Sequence, residues 1–172
     1  MAFAIYKCRQ GLYKIKLMNR TTIEWCDFTW NPIVGCRNGC PYCWARRMYA
    51  RFYGSESEFS DPTFYPQRLN DPLKYRKASK IFVCSMADIF SDGVSAEWIN
   101  SVIGVMNKTP KHTYYVLTKL PHRYIEFDFP KNCILGTTVE HWLLAFRLDQ
   151  LRGCKCNRKF AVVEPLRSSM KG

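Results

Sequence analysis

The sequence predicts a parallel α/β sheet, and three observations carry that expectation. Strand-like and helix-like segments alternate five times in 172 residues. Such alternation is the pattern of a parallel sheet joined by crossover helices. Two of the strand-like segments, Ile81 to Cys84 and Phe160 to Val163, are continuous apolar runs, as expected of strands covered on both faces. Polar residues collect directly after the strands, where α/β sheets place their chemistry.

Taken in order, residues 1–20 carry five basic and no acidic residues, show no clean period, and read as an arm or upstream extension. Met18 offers a second possible start. The domain proper is placed at residues 21–166, with 167–172 as a short tail. Ile23 to Trp30 is β-branched and aromatic and ends at Asn31-Pro32, a strand signature. A Gly/Cys-rich loop follows, then Ala45 to Tyr53 with helical composition. Residues 54–79, rich in Ser, Asp and Pro, read as a long connection with short turns.

Ile81 to Cys84 is the second strand. Ser95 is placed to cap a helix from Ala96 to about Met106, whose apolar residues recur at helical spacing. Thr113 to Thr118 is the third strand, Pro121 to Phe127 a short helix, Cys133 to Val139 the fourth strand, Trp142 to Leu151 a helix and Phe160 to Val163 the fifth strand.

Composition narrows the function. The chain has 26 Lys and Arg against 14 Asp and Glu, a net charge of +12, and nine cysteines. No apolar run reaches the roughly 18–20 residues that span a bilayer. Without a secretory h-region the chain is expected in the cytoplasm, where cysteines serve metal, redox or core roles rather than disulfides.

The sharpest motif is Gly35-Cys36-Arg37-Asn38-Gly39-Cys40-Pro41-Tyr42-Cys43. Glycines and a proline bend this loop so that three thiols can converge. Three thiolates without a nearby His favour a soft metal or an iron-sulfur cluster. An alternative joins Cys40 and Cys43 to Cys154 and Cys156 around zinc, which leaves Cys36 without a role. Inert cysteines are the third reading.

The motif, with aromatic Tyr42 before its third Cys, resembles the signature of radical SAM enzymes. Five ordered segments sharpen this: Thr22-Ile-Glu-Trp-Cys-Asp-Phe-Thr-Trp-Asn-Pro-Ile-Val-Gly-Cys, Phe82-Val-Cys-Ser-Met-Ala-Asp-Ile-Phe, Leu117-Thr-Lys, Leu135-Gly-Thr-Thr-Val-Glu and Val163-Glu-Pro-Leu. Together they resemble a phage-associated radical-SAM-like family whose reaction is unassigned. That resemblance implies a partial TIM-type barrel of about five βα units, with Cys36, Cys40 and Cys43 on a [4Fe-4S] cluster. It further implies S-adenosylmethionine (SAM) on the fourth iron, an external electron donor, and radical chemistry on an unknown substrate. Tyr42 is then expected among the cofactor-binding residues, with Ser85 and Asp88 at the SAM ammonium, Thr118 and Lys119 at its carboxylate, Thr138 and Glu140 at its ribose, and Glu164 in the same mouth. Family members continue with another strand, so the resemblance also implies an open edge that a partner chain could cover.

Blander readings stand beside these. Ser85 and Asp88 equally suit helix capping, Lys119 a solvated charge, and Glu140 a helix N-terminus. Trp25 and Trp30 are expected to pack the strand. His112, His122 and His141 read as surface or local hydrogen-bonding residues, and Cys8, Cys26, Cys84 and Cys133 as core or incidental thiols. The chief functional rivals are a non-catalytic cluster- or zinc-binding protein and a basic nucleic-acid-binding module. Charge weakens the last: residues 1–20 and 152–172 carry most of the excess, while residues 21–151 hold 15 basic against 13 acidic side chains.

Overall fold

The computed structural model describes residues 4–8, 11–15, 18–156 and 158–167, the first two stretches as backbone only. Among them, β1 (Ala4–Cys8) and β2 (Gly11–Ile15) pair antiparallel as a separate hairpin. The arm is therefore regular where the sequence showed no clean period. The side chain of Cys8 and the last five residues of the tail lie outside the described residues.

The main sheet begins with β3 (Asn19–Arg20), antiparallel to β4 (Phe28–Trp30). From there β7 (Lys80–Val83), β8 (Thr113–Thr118), β9 (Cys133–Thr138) and β10 (Lys159–Val162) add in sequence order, every neighbour parallel. The parallel sheet expected from the alternation is present. It is open, bounded by β3 and β10, and does not close into a barrel. Between β4 and β7 lie β5 (Ile33–Val34), α1 (Trp44–Phe52), α2 (Glu56–Phe59) and β6 (Thr63–Phe64), with β5 and β6 paired antiparallel. The connection over 54–79 thus holds short elements and turns, as expected. After β7 comes α3 (Ala96–Lys108), and before β10 comes α4 (Phe146–Arg152).

One face of the sheet is buried by helices. Trp30, Ile81, Val83, Tyr114, Val116 and Leu135 line it, and Ile99, Val102, Ile103 and Met106 of α3 pack against it. These α3 side chains recur at three- and four-residue spacing, and burying each contributes roughly 1.5–3 kcal/mol. Ser95 caps the helix by accepting from the Trp98 amide at 3.3 Å. Trp30 is fully buried and donates its indole N–H to the Arg68 carbonyl at 2.8 Å, the packing role expected of it.

The other face is aromatic and half-buried. Trp25 packs on Phe82 (4.9 Å between centroids), Tyr115 (5.1 Å) and Phe160 (5.7 Å). This explains why the first strand is shorter than expected. Residues 21–27 turn, with the Cys26 amide on the Ile23 carbonyl at 3.1 Å, and the turn swings Trp25 across the sheet instead of along it. Gly136 makes room for this layer, since a Cβ there would lie 2.3 Å from the Phe160 ring.

Three further expectations change. The segment after Pro121 is a 3-10 helix, Pro121–Glu126, and a 3-10 turn, Trp142–Leu144, precedes α4. The fifth strand is an exposed edge with alternating burial rather than a covered apolar run, because no further strand pairs with it among the described residues.

Candidate cluster-binding site

The motif loop connects β5 to α1 and is built on backbone contacts. Gly35 sits at φ +102°, and a Cβ there would come within 2.8 Å of the Phe59 carbonyl. Only glycine meets both demands. The Cys36 amide donates to that same carbonyl at 2.8 Å, and the Gly35 amide to Met86 at 3.0 Å. The Arg37 amide donates to Ser91 Oγ at 2.8 Å. Cys43 caps α1, its sulfur accepting from the Arg46 amide at 3.3 Å.

Cys36, Cys40 and Cys43 line one cavity of about 170 Å³ together with Ser85, Asp88, Thr118, Lys119 and Thr138. Eight of the residues expected at a site are thereby gathered at the C-terminal ends of β7, β8 and β9. Among the described residues no three His, Cys, Asp or Glu side chains converge tightly enough to hold one metal ion. Cys154 and Cys156 belong to a different part of the molecule. Cys154 is buried with its thiol on the Leu151 carbonyl at 2.9 Å, and the Cys156 thiol lies 3.2 Å from the Arg158 carbonyl.

Asp88 is the hub of the cavity wall. Its buried carboxylate accepts from Asn38 Nδ2 (2.9 Å), Thr118 Oγ1 (2.7 Å), the Lys119 amide (2.9 Å) and the Phe90 amide (3.1 Å). Four donors satisfy a carboxylate, so Asp88 fastens the cysteine loop to β7 and β8. Ser85 Oγ donates to Asn31 Oδ1 at 3.1 Å, and the Met86 amide shares that acceptor at 2.9 Å.

Glu140 is a second hub. Oε1 accepts from Tyr42 Oη at 2.7 Å and from Lys119 Nζ at 3.0 Å, while Oε2 accepts from Arg147 Nη1 at 3.0 Å. Lys119 also donates to Tyr42 Oη at 2.7 Å. Burial pushes the Glu140 carboxyl up, but the bonds from Tyr42 and Lys119 outweigh it and hold the group below the usual range. Tyr42 is raised, first by burial and then by its bond to Glu140. Burial likewise raises the Cys36 thiol.

Several side chains therefore sit in places the sequence did not disclose. Lys119 is paired rather than a solvated charge, and Glu140 joins strand ends instead of beginning a helix. Glu164 is exposed, because it ends an edge strand and not a buried one. His112 is almost fully buried, its Nε2 on the Pro72 carbonyl at 3.0 Å, whereas His122 is exposed. His141 accepts from the Leu143 amide through Nδ1 at 3.1 Å, a local bond as expected. Cys26, Cys84 and Cys133 are buried core thiols. Asn31, Asn38 and Arg147 were missed. Each acts through a partner 7 to 55 residues away, and no local period marks such a role.

Residues 20–171 match the family described as "Protein of unknown function (DUF5131)". The chain belongs to this family. No curated protein matches it. Among solved structures, the fold is similar to a Cys-to-Ala mutant of spore photoproduct lyase with dinucleoside spore photoproduct. The TM-score is 0.66 and the identity 13%, over 94% of this chain and 51% of that one. A Cys-to-Ser mutant of the same lyase gives 0.67 and 13% over the same shares. At this identity the likeness shows the fold alone, which this DUF5131 member shares with the lyase. The chain spans about half the length of these structures. No helix among the described residues is long and apolar enough to cross a membrane.

Proposed function

We propose that this protein is a radical SAM-like iron-sulfur protein in which Cys36, Cys40 and Cys43 hold a [4Fe-4S] cluster and the adjoining strand ends hold SAM. The single observation that carries this is the shared cavity of the three motif cysteines with Ser85, Asp88, Thr118, Lys119 and Thr138. The donor set fits. Three soft thiols on one short loop, facing one cavity, suit a cluster whose thiolates bind separate irons. Zinc completed by Cys154 and Cys156 lacks support, since both thiols face carbonyls elsewhere.

Held by Cys36, Cys40 and Cys43, the cluster would supply one-electron reduction of SAM, with the electron drawn from an external donor, and so radical chemistry on a substrate. The chain's own residues bind and orient. Cys36 gives up its proton on ligation, against burial that favours the thiol. Cys43 is held by the α1 amides. Asp88 and Glu140 fasten the loop, and Ser85 and Thr138 remain on the cavity wall to meet SAM. Phe82 and Leu117 line the same cavity and exclude water from it. The five sequence segments support the phage-associated branch, and the cysteine usage supports a reducing cytoplasm.

Anaerobic reconstitution with iron and sulfide, followed by EPR of the reduced protein with and without SAM, tests the reading. About four irons per chain and a spectrum altered by SAM are expected. A colourless protein, or a cluster blind to SAM, overturns it. Cys36→Ser, Cys40→Ser or Cys43→Ser should each abolish cluster binding, and Cys84→Ser should not.

A further inference from the structure

A second cavity, of about 740 Å³, lies between α1, the turn at 21–23 and the segment from Tyr65 to Arg68. Its size suits a ligand of nucleotide dimensions. The α1 helix has no buried residue, although Trp44, Met48 and Tyr49 line this cavity together with Tyr53 just beyond its end. Trp44 is 60% exposed and Tyr53 59%. These are large aromatic faces turned toward open space rather than core.

The polar part of the lining is one-sided. Arg20 and Arg68 are present, and the described lining holds no acidic residue. Arg68 is pre-set, its Nη1 donating to the Asn31 carbonyl at 3.1 Å while its guanidinium lies 4.1 Å from the Tyr65 ring centre. The α1 sequence WARRMYARF adds Arg46, Arg47 and Arg51 and no acid. Aromatic platforms interleaved with arginines suit a ligand with a flat π face and a negative backbone.

We propose that this cavity is a binding site for a nucleotide unit of a single-stranded nucleic acid. A base stacks on Trp44 or Tyr53, and its phosphate meets Arg20 or Arg68. The charge argument is local: it rests on Arg20 and Arg68 in the cavity wall and not on the net charge of the chain. Trp44 directly follows Cys43, and Ser85 lines both cavities, so a strand bound here lies beside the cluster loop. The site nevertheless stands on its own residues and does not require a cluster.

The test is fluorescence anisotropy of a fluorescein-labelled single-stranded 15-mer DNA with the full chain. It is run at low and high salt, on wild type and on a Cys36→Ala/Cys40→Ala/Cys43→Ala variant. Saturable, salt-sensitive binding is expected in both proteins. Trp44→Ala, Tyr53→Ala and Arg20→Gln should each weaken it roughly fivefold or more, the scale of one lost stacking or phosphate contact. The three side chains are exposed, and a thermal melt confirms that each variant is folded. Arg152→Gln, far from the cavity, should leave the affinity within about twofold. Photo-crosslinks should map to α1. A free mononucleotide that competes as well as the 15-mer would replace the strand by a small nucleotide as ligand and overturn the proposal. So would Kd values unchanged in all three variants, crosslinks confined to residues 1–17, or no saturation by about 100 µM.

Discussion

Tyr42, next to a motif cysteine, donates its hydroxyl hydrogen to Glu140 at 2.7 Å across 98 residues of sequence. Lys119 closes a triangle with both. The cysteine loop is therefore braced from β9 as well as from Asp88. Removing the Glu140 charge leaves Lys119 and Arg147, with side chains only 17% and 13% exposed, short of an anion. Glu140→Gln is expected to destabilise the fold by about 1–3 kcal/mol, and Tyr42→Phe by about 1 kcal/mol, read from urea unfolding. Equal stability of wild type and Glu140→Gln would deny the brace.

Acid should act through the same group. The Glu140 carboxyl is held below its usual value of 4.5, so its contribution is complete above that pH and is lost as pH falls through the lowered value. Unfolding free energy measured from pH 6 to 3 should fall more steeply in wild type than in Glu140→Gln. Parallel curves would remove Glu140 from the account.

His112 works at a higher pH. Burial holds its imidazole below the usual 6.5, and its Nδ1 finds no partner among the described groups. The folded chain therefore binds fewer protons than the unfolded one, and stability present above pH 6.5 is lost as pH drops below it. His112→Gln should flatten the stability curve between pH 6.5 and 5. A curve as steep as that of wild type would contradict this.

Gly35→Ala meets a backbone carbonyl and a left-handed φ at once. A loss of about 1–3 kcal/mol is expected, with lower iron uptake per chain on reconstitution. Gly136→Ala meets first the edge of the Phe160 ring, which can swing outward, so about 1–2 kcal/mol is expected. Gly136→Ala should cost less in a Phe160→Ala background, and a double-mutant cycle with no coupling would sink the contact.

Much of this architecture was legible because its signals are local. Thr113 to Thr118 matches the observed strand at both ends, and Ser95 caps the helix it was expected to cap. The three cysteines declared themselves by spacing. What escaped was long-range. Trp25 looked like a strand residue because its composition is that of a strand, yet its place across Phe82 and Phe160 is decided by packing. Asn38 and Arg147 carry no period or motif, and their roles depend on partners brought near only by the assembled sheet. Glu164 misled because an apolar run looks alike in a covered strand and an edge strand.

The long span from Tyr42 to Glu140 has a consequence for how the chain is made. Synthesis runs at about 5–20 residues per second, so roughly 5–20 s separate emergence of the last motif cysteine from that of Glu140. During that interval Cys36, Cys40 and Cys43 leave the ribosome on a loop that first lacks both braces and, once Asp88 has emerged, still lacks Glu140. The newborn thiols are open to oxidants and stray metals until Asp88 and then Glu140 have arrived.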